Sequence, residues 1–194
     1  LKSLDLKPQS TKALYGLSVS FHSIKMYKES IAALLKYQKL KTPDFKIWFL
    51  LGVNYSEIDD YNNASIAFTE AIKIDNNDES AWFCRGDVYR EIGEYDKAIA
   101  DYLKSITINP KNILVQYNLA VCYKYSGNVI NYEKVLLQTL NLDETFIFSL
   151  RDLGEMYIEQ GKIDTAKKYL TLAKRSANNV EDVRKIEELI KRTC

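Results

Sequence analysis

The sequence predicts an all-α chain, a stack of antiparallel helix-turn-helix hairpins repeating every 34 residues. Three observations carry this. The first is self-similarity: Trp48 and Trp82 stand 34 apart, as do Gly52, Gly86, Ala120 and Gly154, and again Tyr55, Tyr89, Tyr123 and Tyr157. The second is composition, with three prolines and seven glycines in 194 residues, so little interrupts a helix. The third is punctuation: Gly93, Gly127 and Gly161 fall on the same grid, where a first helix must turn into a second.

Taken in order, residues 1–10 read as the tail of a second helix, with Leu1, Leu4 and Leu6 ahead of Pro8 at an end-of-repeat position. The chain is expected to begin inside an earlier repeat of a longer solenoid, the alternative being a short capping segment. Five full periods follow: 11–44, 45–78, 79–112, 113–146 and 147–180. In each, the first helix is placed at positions 2–14 and the second at 18–31. The first period is degenerate, with Leu14, Leu17, Ser18, Phe21, Ser30 and Leu34 at its key positions. Ala64, Ala98 and Ala166 mark position 20, and Phe68, Tyr102, Leu136 and Leu170 mark position 24. Gly or Ala at position eight is expected to let the paired helices approach, opposite the position-20 alanine. The aromatics at positions 11 and 24 are expected to fill the space between hairpins. In the fourth period Tyr132 occupies the alanine place, and such a ring should splay that hairpin or shift its second helix. After the last period, Val180, Val183, Ile186, Leu189 and Ile190 recur at helical spacing behind an Asn179–Asp182 cap signature, predicting a C-terminal capping helix over 181–194. No single hairpin can bury its apolar face alone, so stacking supplies the core.

In the third period Trp82, Gly86, Tyr89, Ala98, Tyr102 and Pro110 match, in order, the pattern of the tetratricopeptide repeat family, which this chain resembles over nearly its whole length. Asn76, Glu144 and Asn178 replace the terminal proline elsewhere. The resemblance implies a right-handed α-solenoid whose first helices line a concave groove. Carried over by position, the groove residues would be Tyr15, Phe49, Phe83, Tyr117 and Arg151 at position five. Position nine would add Val19, Val53, Asp87, Val121 and Glu155, and position twelve His22, Ser56, Arg90, Lys124 and Ile158. Valine at position nine, where the family often has asparagine, makes the groove more apolar than usual. A family clamp for the acidic C-terminal tails of heat-shock chaperones needs lysines and asparagines. Here Phe49, Val53, Cys84, Leu114 and Asn118 stand in those places, and neither Tyr15 with Val19 nor Phe83 with Asp87 supplies them, so that ligand is not expected.

The remaining signals narrow the function class. Lys plus Arg is 27 and Asp plus Glu 26, a net charge of +1, which lacks the bulk field that draws a chain to nucleic acid. Apolar runs such as 47–53 are far short of a membrane span. Cys84, Cys122 and Cys194 have no metal-ligand spacing and read as reduced thiols, favouring a cytoplasmic location. Asn54-Tyr55-Ser56 and Asn63-Ala64-Ser65 match the glycosylation pattern but lie inside hairpins. His22 is the single histidine and has no nucleophile at a known spacing. No catalytic, cofactor or metal site is therefore predicted. The expected role is a non-catalytic scaffold or adaptor that holds a partner peptide or helix in the groove, with Arg90, Lys124 and Arg151 orienting acidic groups. The alternatives are a building block of a larger assembly, or a non-catalytic module of a larger enzyme.

Overall fold

The computed structural model describes residues 10–193, and every described element is helical. The residue 1–9 part of the expected preceding repeat, and Cys194, lie outside them. In order the helices are α1 (Thr11–Ser23), α2 (Tyr27–Leu40), α3 (Phe45–Ser56), α4 (Tyr61–Ile74), α5 (Glu79–Glu91), α6 (Tyr95–Ile108), α7 (Ile113–Tyr125), α8 (Val129–Leu142), α9 (Ile147–Glu159), α10 (Ile163–Ser176) and α11 (Val180–Lys191). The chain divides after Ile108 into two compact units.

Each helix begins one residue before the place the periodicity gave it, and at α1, α3, α5 and α7 a side-chain cap fixes the start. Ser10, Asp44, Asp78 and Asn112 each accept a hydrogen bond from the amide three residues on, at 3.1, 3.3, 2.8 and 3.4 Å. These residues are themselves 34 apart, and each satisfies an otherwise orphaned donor of the first turn. The turn between paired helices also recurs on the grid. Its pivot has positive φ at Gly93, Gly127 and Gly161, and equally at Lys25 (φ 61°) and Asp59 (φ 59°), where glycine is absent.

In the first unit α1, α3 and α5 each pack on the helix that follows, and α3 and α5 pack in turn on the preceding hairpin. One apolar cluster joins Leu14, Leu34, Ile47 and Leu51 and takes in Trp48 and Tyr55 from its edge. A second joins Ala64, Phe68 and Val88. The position-eight glycines leave room for a side chain of the paired helix. A Cβ at Gly52 would lie 2.7 Å from the Phe68 ring, and one at Gly86 would lie 2.8 Å from Tyr102. The glycine thus seats the position-24 ring of its own hairpin. That ring packs inside its own hairpin and, at Phe68, also against Val88 of the next hairpin, as expected for position 24.

In the second unit α7 packs on α8 and α9 on α10, and Gly154 seats Leu170 in the same way. Helix α11 buries Ile186 against Leu150, Leu170 and Ala173. Asn179 caps it, accepting from the Asp182 amide at 2.8 Å, whereas Val180 points away and is 85 % exposed. Tyr132 does not move the sequence bounds of its second helix. Helix α8 keeps the offset of 34 residues from both α6 and α10. The ring is buried, reaches the neighbourhood of Asp152 on α9, and lies 5.7 Å from the Lys124 ammonium.

Candidate functional site

Two clefts hold most of the position-nine residues, one in each unit. In the first unit, Val53 and Ser56 of α3, Phe68 of α4, and Cys84, Asp87 and Val88 of α5 line a cleft of about 320 Å³. Its floor is apolar and three carboxylates, Glu57, Asp87 and Glu91, rim it. Asp87 accepts the Tyr102 hydroxyl at 2.5 Å. Burial first, then the neighbouring Asp87, pushes the Cys84 thiol up to about 12, so it stays protonated and unreactive near neutral pH.

In the second unit, Tyr117, Val121 and Lys124 of α7 and Arg151, Asp152 and Glu155 of α9 surround a cavity of about 450 Å³. Lys185 and Leu189 of α11 form its remaining wall, so the terminal helix both covers the last hairpin and lines this cavity. Asp152 is buried and accepts from Tyr117 Oη at 3.0 Å and from Arg151 Nη2 at 3.0 Å. Burial and the Asp152 charge raise the pKa of both Tyr117 and Tyr132. The Tyr132 hydroxyl is buried near Asp152 without a hydrogen bond of good geometry.

The position-five aromatics serve the hairpins first. The Phe49 ring meets Phe45 and Phe68, each at 5.6 Å between centroids, and Phe83 meets Tyr102 at 6.2 Å. Tyr15 is half-buried beside Tyr37 in a separate small cavity, and Val19 is exposed. His22 is held structurally. Asn54 Nδ2 donates to Ser30 Oγ at 2.9 Å and to the Leu50 carbonyl at 2.8 Å, so Asn54 Oδ1 is left to accept from His22 Nδ1 at 2.9 Å. The same network buries Asn54 completely.

The three cations expected to orient acidic partner groups are already engaged. Arg90 pairs with Glu91 at 2.6 Å and Asp87 at 3.8 Å. Lys124 pairs with Glu155 at 3.2 Å, and Arg151 with Asp152 at 3.0 Å. Sequence reasoning also missed the ionic centre of the first unit. Arg85 forks onto Asp101 at 2.7 and 2.8 Å, donates to Thr69 Oγ1 at 3.0 Å, and lies 5.0 Å from the Trp82 ring. Nothing in the repeat pattern marks either residue. Among the described residues no group of three or more His, Cys, Asp and Glu side chains is disposed to hold a metal ion, and no helix is long and apolar enough to cross a membrane.

Family models agree with this architecture. One described as a TPR repeat matches residues 86–127, and two described as tetratricopeptide repeat match 67–100, and 45–78 with 152–179. Together they take in more than half of the chain. It belongs to the tetratricopeptide repeat family. Membership marks it in kind as a protein-interaction module. Solved tetratricopeptide structures share the fold. MamA from Desulfovibrio magneticus RS-1 is 19% identical with a TM-score of 0.79, covering 87% of this chain and 97% of that one. YrrB, described as a TPR protein with an unusual peptide-binding site, is 21% identical with a TM-score of 0.70, covering 76% of each chain. The Cut9–Hcn1 hetero-tetramer of the APC/C gives 16% identity and a TM-score of 0.67, covering 96% of this chain and 36% of that one. A search of curated proteins returned no match.

Proposed function

We propose that this chain is a non-catalytic scaffold whose five hairpins, with periods starting at residues 11, 45, 79, 113 and 147, hold an extended or helical segment of a partner protein against their first helices. The α11 helix caps the last period. The observation that carries this reading is the Val53 cleft, an open apolar floor of Val53, Phe68 and Val88 with a polar rim. Apolar surface of that kind, left open and rimmed by charge, marks an interaction site. The contacting set narrows to Val53, Asp87, Tyr117, Val121 and Glu155, with Lys185 and Leu189 added. Phe49 packs on Phe68, which lines the first-unit cleft, and Phe83 on Tyr102, whose hydroxyl donates to Asp87.

Capture of cellular partners by the purified chain tests it. Filling the clefts by Val53→Trp or Val121→Trp should release partners that the native chain retains. Leu103→Trp, on the exposed side of a second helix, should retain them. Retention by both cleft variants would contradict the proposal.

A further inference from the structure

The near-neutral total conceals a strongly acidic stretch. Residues 45–91, which form α3, α4 and α5, hold nine carboxylates against four cations, a net charge of −5 in a chain of net +1. Of those four cations, Arg85 is committed to Asp101 and Lys73 to Glu70. Arg90 pairs with the cleft rim, at Asp87 and Glu91.

Helix ends reinforce the charge. Glu57 is the C-cap of α3, and Glu91 is the last residue of α5 with Asp87 one turn earlier. Both carboxylate-bearing ends are helix C-termini, where the macrodipole already presents negative partial charge and where cations, not anions, are favoured. The last turn of α3 carries no basic residue to offset this. Glu57 also sits close enough to Tyr27 to hold the proton on its hydroxyl. Two helix C-termini and three carboxylates therefore converge on one apolar cleft, an arrangement that a bound cation relieves.

Resting on the scaffold reading above, we propose that the α3–α4–α5 cleft selects a partner segment carrying an apolar side chain flanked by lysine or arginine. The apolar group enters between Val53, Phe68 and Val88, and the flanking cations meet Glu57 and Glu91. This reverses the sign of partner charge expected from the sequence. Acidic partners would face three carboxylates beside one arginine, and like-charge juxtaposition is a strong means of exclusion.

The test uses two labelled 12-residue peptides with the same three-leucine core, one flanked by four lysines and the other by four glutamates, read by fluorescence anisotropy. The lysine probe should bind at least tenfold more tightly at low salt, with the advantage shrinking as salt rises. Glu57→Lys with Glu91→Lys should reverse the preference. Asp164→Lys with Glu188→Lys, the same charge change at exposed sites on other helices, should leave it intact. Circular dichroism checks that each variant is folded. Equal binding of both probes, lost on Val53→Trp, would overturn the charge inference while leaving the scaffold reading standing. An equal loss of preference in the Asp164/Glu188 control would overturn it as bulk charge. Failure of both probes to bind would overturn it and count against the cleft itself.

Discussion

Gly86→Ala adds one methyl group where the hairpin has no room for it. The new Cβ would stand 2.8 and 2.9 Å from two ring carbons of Tyr102. Unstrained carbon contacts lie at about 3.5–4.0 Å, so the ring must retreat by roughly half an ångström or more. Tyr102 cannot easily do so, because it is fully buried and its hydroxyl is anchored on Asp87. Overpacking of this kind costs about 1–3 kcal/mol. Alanine returns about 1 kcal/mol through helix propensity, and losing the charged hydrogen bond to Asp87 would cost about 1.5–3 kcal/mol more. The expected net is a destabilisation of about 1.5–5 kcal/mol with the Asp87 bond lost, and about 0–2 kcal/mol where the ring retreats with the bond kept. Gly16→Ala is the control. It also sits inside a helix, and a Cβ there meets nothing within 4 Å. It should gain about 0.5–1 kcal/mol from propensity alone. Urea titrations followed by circular dichroism compare the two, with the denaturant slope checked for constancy because arrays need not unfold in two states. The same sign for both substitutions would refute the seating of position-24 rings on position-eight glycines.

Other consequences follow from the buried polar groups. Arg85→Ala should cost about 3–5 kcal/mol, because it strands the buried Asp101 carboxylate, and Asp101→Asn should cost less because an amide carries no unpaired charge; equal and negligible losses would contradict the network. Tyr132→Phe removes a buried hydroxyl that lacks a well-formed hydrogen bond, so denaturation should show stability unchanged or raised by up to about 1 kcal/mol. Burial is the leading cause of the raised pKa of Tyr117, Tyr132 and Tyr157. Their contribution to stability is complete below the ordinary tyrosine value of about 10 and is lost as pH rises through the folded values. Urea midpoints should therefore fall above about pH 10, and absorbance titration should show these rings ionising after the exposed ones. Cys84 and the fully buried Cys122 should resist alkylation at neutral pH until urea unfolds the chain.

The parts legible in the sequence are those that each hairpin must solve in the same way. Gly86 and Tyr102 occupy their places because a hairpin seats a large position-24 side chain on a small position-eight residue, as at Gly52 with Phe68 and Gly154 with Leu170, so the solution recurs every 34 residues. The cap series Ser10, Asp44, Asp78 and Asn112 was equally periodic and would have fixed the helix starts. The turn was harder to read, because Lys25 and Asp59 adopt the conformation that glycine advertises in the later hairpins. The candidate site was legible in position but not in charge. Arg90, Lys124 and Arg151 lie where the periodicity put them, yet their partners are acids that happen to come within about 4 Å, a matter of individual rotamers and not of period. Lys185 and Leu189 could not be assigned to a cleft wall, since the angle at which α11 returns over α9 and α10 has no periodic signal.

The most direct test is photocrosslinking in the native cell, with a photoreactive residue placed in turn at Val53, Val121, Leu103 and Leu137. The first two face the first-helix clefts, whereas Leu103 and Leu137 are exposed on second helices. Covalent adducts to a partner from positions 53 and 121, and not from 103 and 137, are predicted. Adducts confined to positions 103 and 137 would contradict the assignment of the clefts as the binding surface.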